Sequence, residues 1–342
     1  MSTRAKLLIT YCASMLSLSL LNILVSAVPS SLSDNALDIV FSLVSQVVCM
    51  GIIPLVGTAL SKPRKGLSGA EYCRTWAANW RYRMPNPKVW LVVIPLSVSF
   101  FYFTQLIARI GTLLLAVVGF SFSTAPGTIY GGVGDLVLWI FIGAVLPAVF
   151  EELTHRGLVL DAIFDRGNEA QMILLSGLLF ACMHTNILQF LYAFIGGCLF
   201  AFITIKTGSI FPAMLLHFVN NCMSHLGEYA SQHPTGLWGA IDSATNYFTQ
   251  STLGLVLGAL LLVANAFLCL WLVARAQQVA AKAPGLEEKW FLRGKKSNAF
   301  AISIDFYRPF GKATLADDLP LYAVIAMTSC MTIFTFVWGM VR

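Results

Sequence analysis

Long apolar runs, broken by short polar or basic stretches, set the pattern of this chain. Nine stand out, at 7–28, 36–60, 89–119, 135–163, 170–187, 188–206, 208–226, 251–274 and 320–341. Most approach the roughly 20 residues that a helix needs to cross the hydrocarbon core of a bilayer. The pattern predicts an all-α, polytopic transmembrane helical bundle of about nine spans, eight being possible. The first run follows Arg4 and Lys6 and ends near Val25-Ser26-Ala27, as a signal peptide could. Its apolar stretch is longer than the roughly 7–15 residues of a signal peptide's apolar region, so a retained helix is expected. Three parts follow from the spacing. Residues 1–134 hold the N-terminal helices and a basic, amphipathic inner loop (61–88). Residues 135–226 form a core of closely spaced helices. Residues 227–342 comprise an outer loop, a helix, a second basic inner loop (275–319) and a last helix.

Composition agrees with that pattern. Of the 342 residues, 57% are hydrophobic and 11% charged, against about 25% charged in soluble domains. A soluble enzyme, a disordered chain and a fibrous protein are thereby excluded. The net charge of +6 does not imply nucleic acid, because the basic residues sort by side of the membrane. With the N-terminus inside, 19 of the 22 Lys and Arg fall on the inner side, and the outer loops 29–35, 120–134 and 227–250 contain none. This is the positive-inside asymmetry, and it predicts an N-in, C-out chain. In loop 61–88, basic residues mix with Trp76, Trp80 and Tyr82, a composition suited to an interfacial segment on anionic lipid. Membrane lipids are therefore expected partners. The eight Cys form no CxxC and all but Cys73 lie in apolar runs, so they read as small hydrophobes rather than a disulfide framework.

Ionisable residues inside spans are expensive and mark function by default. The candidates are Arg109, Glu151, Glu152, His155, Arg156, His184 and His217, with the amide Asn221. Glu151 and Glu152 point about 100° apart on a helix and need not share a role. Glu152 and Arg156 stand at i,i+4 and can pair, which leaves Glu151 without a cation in the same register. His217 and Asn221, also i,i+4, share one helix face. Each feature has a plain structural reading: an ion-pair network, a hydrogen-bonded histidine, or polar contacts between helices. Depth favours a joint reading. At 1.5 Å per residue, Glu151, His184, His217 and Asn221 can meet at one level from three helices of alternating direction. The chemistry that fits is water activation, with Glu151 as general base. His184 would orient the water, or both would ligate a divalent metal such as zinc. His217 and Asn221 are suited to an oxyanion. No Ser or Cys stands clearly beside a base, although Cys182 is close in sequence.

At these residues the chain resembles the CAAX-protease and bacteriocin-processing family (CPBP, or Abi), which includes the Ras-converting CAAX endoproteases. The family's motifs EExxxR, FxxxH and HxxxN/D stand here as Glu151-Glu152-x-x-x-Arg156, Phe180-x-x-x-His184 and His217-x-x-x-Asn221. The resemblance covers about 90 residues and implies an intramembrane endopeptidase acting on hydrophobic peptides or lipidated proteins. It implies that Glu151 and His184 activate water and that His217 and Asn221 hold the oxyanion. Glu152 and Arg156, with Phe180, would support the site. The family has been described as metallo- and as glutamate-type, and a metal here would fall to Glu151, His184 and His217. Because most of the family is bacterial, the resemblance implies a bacterial plasma membrane.

Other proteases leave weaker traces. Gly66-Leu67-Ser68-Gly69 spells a rhomboid-like GxSG but sits in a basic loop. Gly132-Val133-Gly134-Asp135 spells GxGD without a partner Asp at matching depth. HExxH is absent, and Glu152-x-x-His155 forms only half of a di-iron pattern, which leaves His155 as a structural neighbour. His225 and His233 read as surface residues. The main alternative is a non-catalytic membrane scaffold, an immunity protein or a transporter that keeps these residues for structure.

Overall fold

The apolar runs fold as helices in the computed structural model, which describes residues 2–26, 28, 35–61, 80–82, 84–85, 87–120, 128–163, 169–261, 263–264, 267, 271 and 315–341. Among these residues there is no strand. Helix α1 is Thr3–Ser26, α2 covers 35–61 and α3 is Trp90–Val117. Helix α4 covers 133–163, α5 is Glu169–Met183 and α6 is Ile187–Thr207. Next come α7 (Phe211–Gln232), α8 (Gly236–Gln250), α9 (Thr252–Leu261) and α10 (Leu315–Val341).

Among the described residues, α1, α2, α3, α4, α6 and α10 are long and apolar enough to cross a membrane. Their outward faces carry large apolar side chains such as Leu60, Leu91 and Val117, as a lipid-facing surface does. The other three expected spans differ from the sequence reading. Helix α5 has 15 residues, about 22 Å of rise. Helix α7 has 22 residues, but a face bearing His217, Asn220, Asn221, Ser224 and His225 lowers its hydropathy. Of the run 251–274, a helix is described over Thr252–Leu261. The stretch 227–250, expected as an outer loop, is helical: α7 continues to Gln232 and α8 follows. The break between α5 and α6 has a local cause. Thr185 adopts a left-handed φ of 47°, and Asn186 caps α6 by accepting from the Leu188 N–H at 2.9 Å.

The site rests on close helix contacts. Helices α5 and α6 make the most extensive of these, because glycines let their backbones meet. A Cβ added at Gly197 would stand 2.9 Å from the Gly177 Cα and 3.0 Å from the Phe180 Cβ. Backbone cannot swing aside, so Gly197→Ala must part the helices. The expected cost is about 1–3 kcal/mol, read as a lower unfolding midpoint in detergent. An unchanged midpoint would refute this contact.

Helices α2 and α4 carry π-helical turns at Val44–Ile52, Phe141–Val145 and Leu153–Val159. Such turns widen the helix and re-aim side chains and carbonyls. Side chains from neighbouring helices donate to carbonyls there: Thr154 Oγ1 to Met50 O at 2.6 Å, Asn221 Nδ2 to Gly143 O at 3.2 Å, and Ser14 to Cys49 O. At the foot of α4 the chain departs from expectation. Trp80, placed by sequence with the interfacial aromatics, is fully buried. Its indole fills the space left by Gly157, where a Cβ would lie 2.8 Å from the ring. The next residue, Arg81, donates to the Arg156 carbonyl at 3.1 Å. Tyr82 remains exposed, whereas Trp76, Cys73, the GxSG of 66–69 and most of both basic loops lie outside the described residues.

Candidate active site

Helix α4 supplies two carboxylates in different surroundings, as their 100° separation requires. Glu152 is fully buried, and its Oε1 accepts from Arg156 Nη1 at 3.1 Å and from His217 Nδ1 at 3.0 Å. The expected i,i+4 pair is therefore formed, with both side chains sealed from solvent. The other Arg156 nitrogen, Nη2, donates to Gly197 O at 2.8 Å. Its guanidinium also lies 4.6 Å from the Phe180 ring centroid and 5.2 Å from that of Phe200, within cation–π range.

Glu151 faces a different wall. Its Oε1 accepts from Gln46 Nε2 of α2 at 2.8 Å. Its Oε2 accepts no hydrogen bond from the described residues and lies 3.9 Å from His217 Nε2. That gap exceeds a direct hydrogen bond.

The two histidines are held in defined tautomers by acceptors at one nitrogen. His184 Nδ1 lies 2.9 Å from the Phe180 carbonyl, an acceptor, so Nδ1 carries the proton and Nε2 keeps its lone pair. His217 Nδ1 donates to Glu152, which leaves Nε2 toward Glu151. Phe180 is the hub of this wall. Its ring meets His155, His184 and His217 edge-on at 5.1, 5.1 and 5.7 Å, and Phe200 stacks on His217 at 5.5 Å. His155 is structural, as expected: Nδ1 donates to the Glu151 carbonyl at 2.9 Å and Nε2 pairs with the Tyr11 hydroxyl at 3.2 Å.

Glu151, His184, His217 and Asn221 all line one cavity of about 300 Å³. The four residues singled out by depth are thus brought together from α4, α5 and α7, with His184 and Asn221 half-buried. Thr104 and Gln105 of α3, Tyr192 of α6 and Asn220 complete much of the lining. Sequence reasoning missed Gln46, Thr104 and Asn220. Each is a neutral polar residue in an apolar run, a signal that was available but is weaker than a charge. Cys182 is buried and does not line the cavity. Among the described residues, no three His, Cys, Asp or Glu side chains are arranged to hold a metal ion. The set Glu151, His184 and His217 as it stands therefore does not fit one, and no step below passes through a metal.

Two further expectations are resolved at the other end of α7. Asp135, of the GxGD string, accepts from the Gly131 N–H at 2.7 Å as a helix-start contact. His225 and His233 are half-buried rather than surface residues. His225 Nδ1 pairs with the Tyr130 hydroxyl at 2.8 Å, and His233 stacks on Tyr229 at 4.3 Å. Burial, together with the neighbouring Glu228 carboxylate, pushes the Tyr130 hydroxyl up.

Residues 133–223 match a family model described as type II CAAX prenyl endopeptidase, Rce1-like. The matched segment contains all three motifs and the four cavity residues. That match supports the CAAX-protease family for this segment, and the long apolar helices support an integral membrane protein. No curated protein and no solved structure gives a significant match to the chain.

Proposed function

We propose that the chain hydrolyses peptide bonds within or beside the membrane, using a water activated by Glu151 and His184. The observation that carries this reading is Glu151 Oε2, which has no donor among the described residues and lies 3.9 Å from His217 Nε2, on two residues that both line the cavity. A water in the cavity that both residues line donates one proton toward Glu151 and the other toward His184 Nε2. As its oxygen attacks the scissile carbonyl carbon, Glu151 takes a proton. The carbonyl oxygen becomes an oxyanion. Asn221 donates to it from Nδ2, and His217 donates from Nε2 when that nitrogen is protonated. Collapse breaks the C–N bond, and the proton held by Glu151 passes to the leaving amine. The products are a free amine and a carboxylic acid, which releases its proton to solvent.

Glu152 and Arg156 hold His217 and the α4–α6 contact and take no proton in this scheme. Substrates are hydrophobic or lipidated peptides reaching the cavity from the inner leaflet, with the N-terminus inside and α7 among the membrane-crossing helices. The polar face of α7 supports that placement, because it lies against the cavity rather than lipid.

The test is a membrane peptidome from cells expressing wild type or Glu151→Gln at equal abundance. New peptide ends seen only with wild type would support proteolysis and give the cleavage register. Identical peptidomes from two equally folded proteins would favour a scaffold. Cys182→Ala should reproduce the wild-type peptide ends, and their loss from a stable variant would point to a thiol nucleophile instead.

A further inference from the structure

A chain of hydrogen bonds enters the cavity wall from α3. Thr104 Oγ1 lies 2.8 Å from Asn220 Oδ1, Asn220 Nδ2 lies 3.2 Å from Asn221 Oδ1, and Asn221 Nδ2 lies 3.2 Å from Gly143 O. The polarity of this chain is forced from one end. A backbone carbonyl can only accept, so the Asn221 NH2 must face Gly143. Asn221 Oδ1 then faces Asn220, whose NH2 must donate. Asn220 Oδ1 in turn faces Thr104, whose hydroxyl proton lies between two acceptors, Asn220 Oδ1 at 2.8 Å and the Phe101 carbonyl of its own helix at 2.7 Å. With the polarity fixed, Asn221 has one N–H bound to Gly143 and its other N–H unused by the chain. All three side chains line the cavity, and Thr104 is 6% exposed.

We infer that Thr104 and Asn220 are positioning residues that lock the Asn221 carboxamide with an N–H toward the reacting centre. A free carboxamide could flip and present its oxygen, which would repel an oxyanion. The relay removes that choice, because a flipped Asn221 would set its oxygen against Gly143 O and its NH2 against the Asn220 NH2. Thr104 lies outside both the three motifs and the matched segment. This inference rests on the proposed role of Asn221 in peptide hydrolysis.

The test uses the full chain in phosphatidylcholine vesicles and a quenched peptide built on the cleavage site found in the wild-type peptidome. Thr104→Val keeps the volume and removes the donor. It should lower kcat by at least 10-fold with KM within about 2-fold, because loss of an oxyanion donor costs about 100- to 1,000-fold and misalignment costs part of that. Thr104→Ser should restore kcat, since the hydroxyl is what acts. In an Asn221→Ala background, Thr104→Val should have no further effect, because its target is gone. Should Thr104→Val fail to fold, Asn220→Asp carries the same test. It retains shape and an acceptor for Thr104 but offers no N–H to Asn221. Wild-type kcat in a folded Thr104→Val or Asn220→Asp protein would overturn the inference, as would multiplicative losses in the double variant. Full activity of Glu151→Gln would overturn the hydrolytic reading and this inference with it. Loss with Glu151→Gln but not with Thr104→Val would sink the relay alone.

Discussion

Replacing Glu151 by Gln should give a folded protein that releases none of the wild-type peptide products. The expected loss is large because a positioned general base contributes about 100- to 10,000-fold, and a carboxamide cannot take a proton from water. The expected sparing of the fold comes from the partners. Gln keeps an oxygen acceptor for the Gln46 Nε2 now bound at 2.8 Å, and the other carboxylate oxygen has no donor to lose among the described residues. Glu151 also has no part in the Arg156 ion pair, which belongs to Glu152. Product formation and the unfolding midpoint must therefore be measured on the same preparation. A midpoint lowered by many degrees would show that Glu151 is structural, and the site would have to be rebuilt around His184 and His217.

Arg156→Leu should do the reverse and fail mainly through stability. The guanidinium is sealed from solvent and holds Glu152 Oε1, Gly197 O and the faces of Phe180 and Phe200 at once. Removing one partner of a buried pair leaves an uncompensated charge, here Glu152, at about 3–5 kcal/mol. Arg156→Lys recovers the charge but not the fork that reaches two acceptors. Its stability should therefore fall between wild type and Arg156→Leu. Unfolding midpoints and resistance to protease in detergent would measure both. A wild-type midpoint for Arg156→Leu would mean that the pair stabilises nothing, and the contrast between the two acidic residues would collapse. Activity should track the folded fraction in the Arg156 series, whereas in Glu151→Gln the two should separate.

The helices were legible because each apolar run carries its own reason to be helical: a chain in lipid must satisfy its backbone within the segment. The Glu152–Arg156 pair was legible for the same local reason, since i,i+4 residues meet on any α-helix. Membership of Glu151, His184, His217 and Asn221 in one site was read from depth alone, which depends only on rise per residue. Other features lacked a local signal. Nothing in the composition of 61–88 distinguishes Trp80, which fills the space at Gly157, from Tyr82, which is exposed. The helix in 227–250 was obscured because its polar residues resemble those of a loop when the packing of Tyr130, Tyr229 and Trp238 is unknown.

The sequence by itself determined the helical membrane class, the candidate residues and the partner of Glu152. These follow from hydropathy, periodicity and spacing along one segment. Only the tertiary structure decided that Gln46 holds Glu151, that His217 bridges toward both acidic residues, and that Thr104 reaches Asn221 through Asn220. The physical reason is sequence separation. Gln46 and Glu151 lie 105 positions apart, and Thr104 and Asn220 lie 116 apart. A neutral amide or hydroxyl at such a distance gains its meaning only from the donor or acceptor that folding sets opposite it.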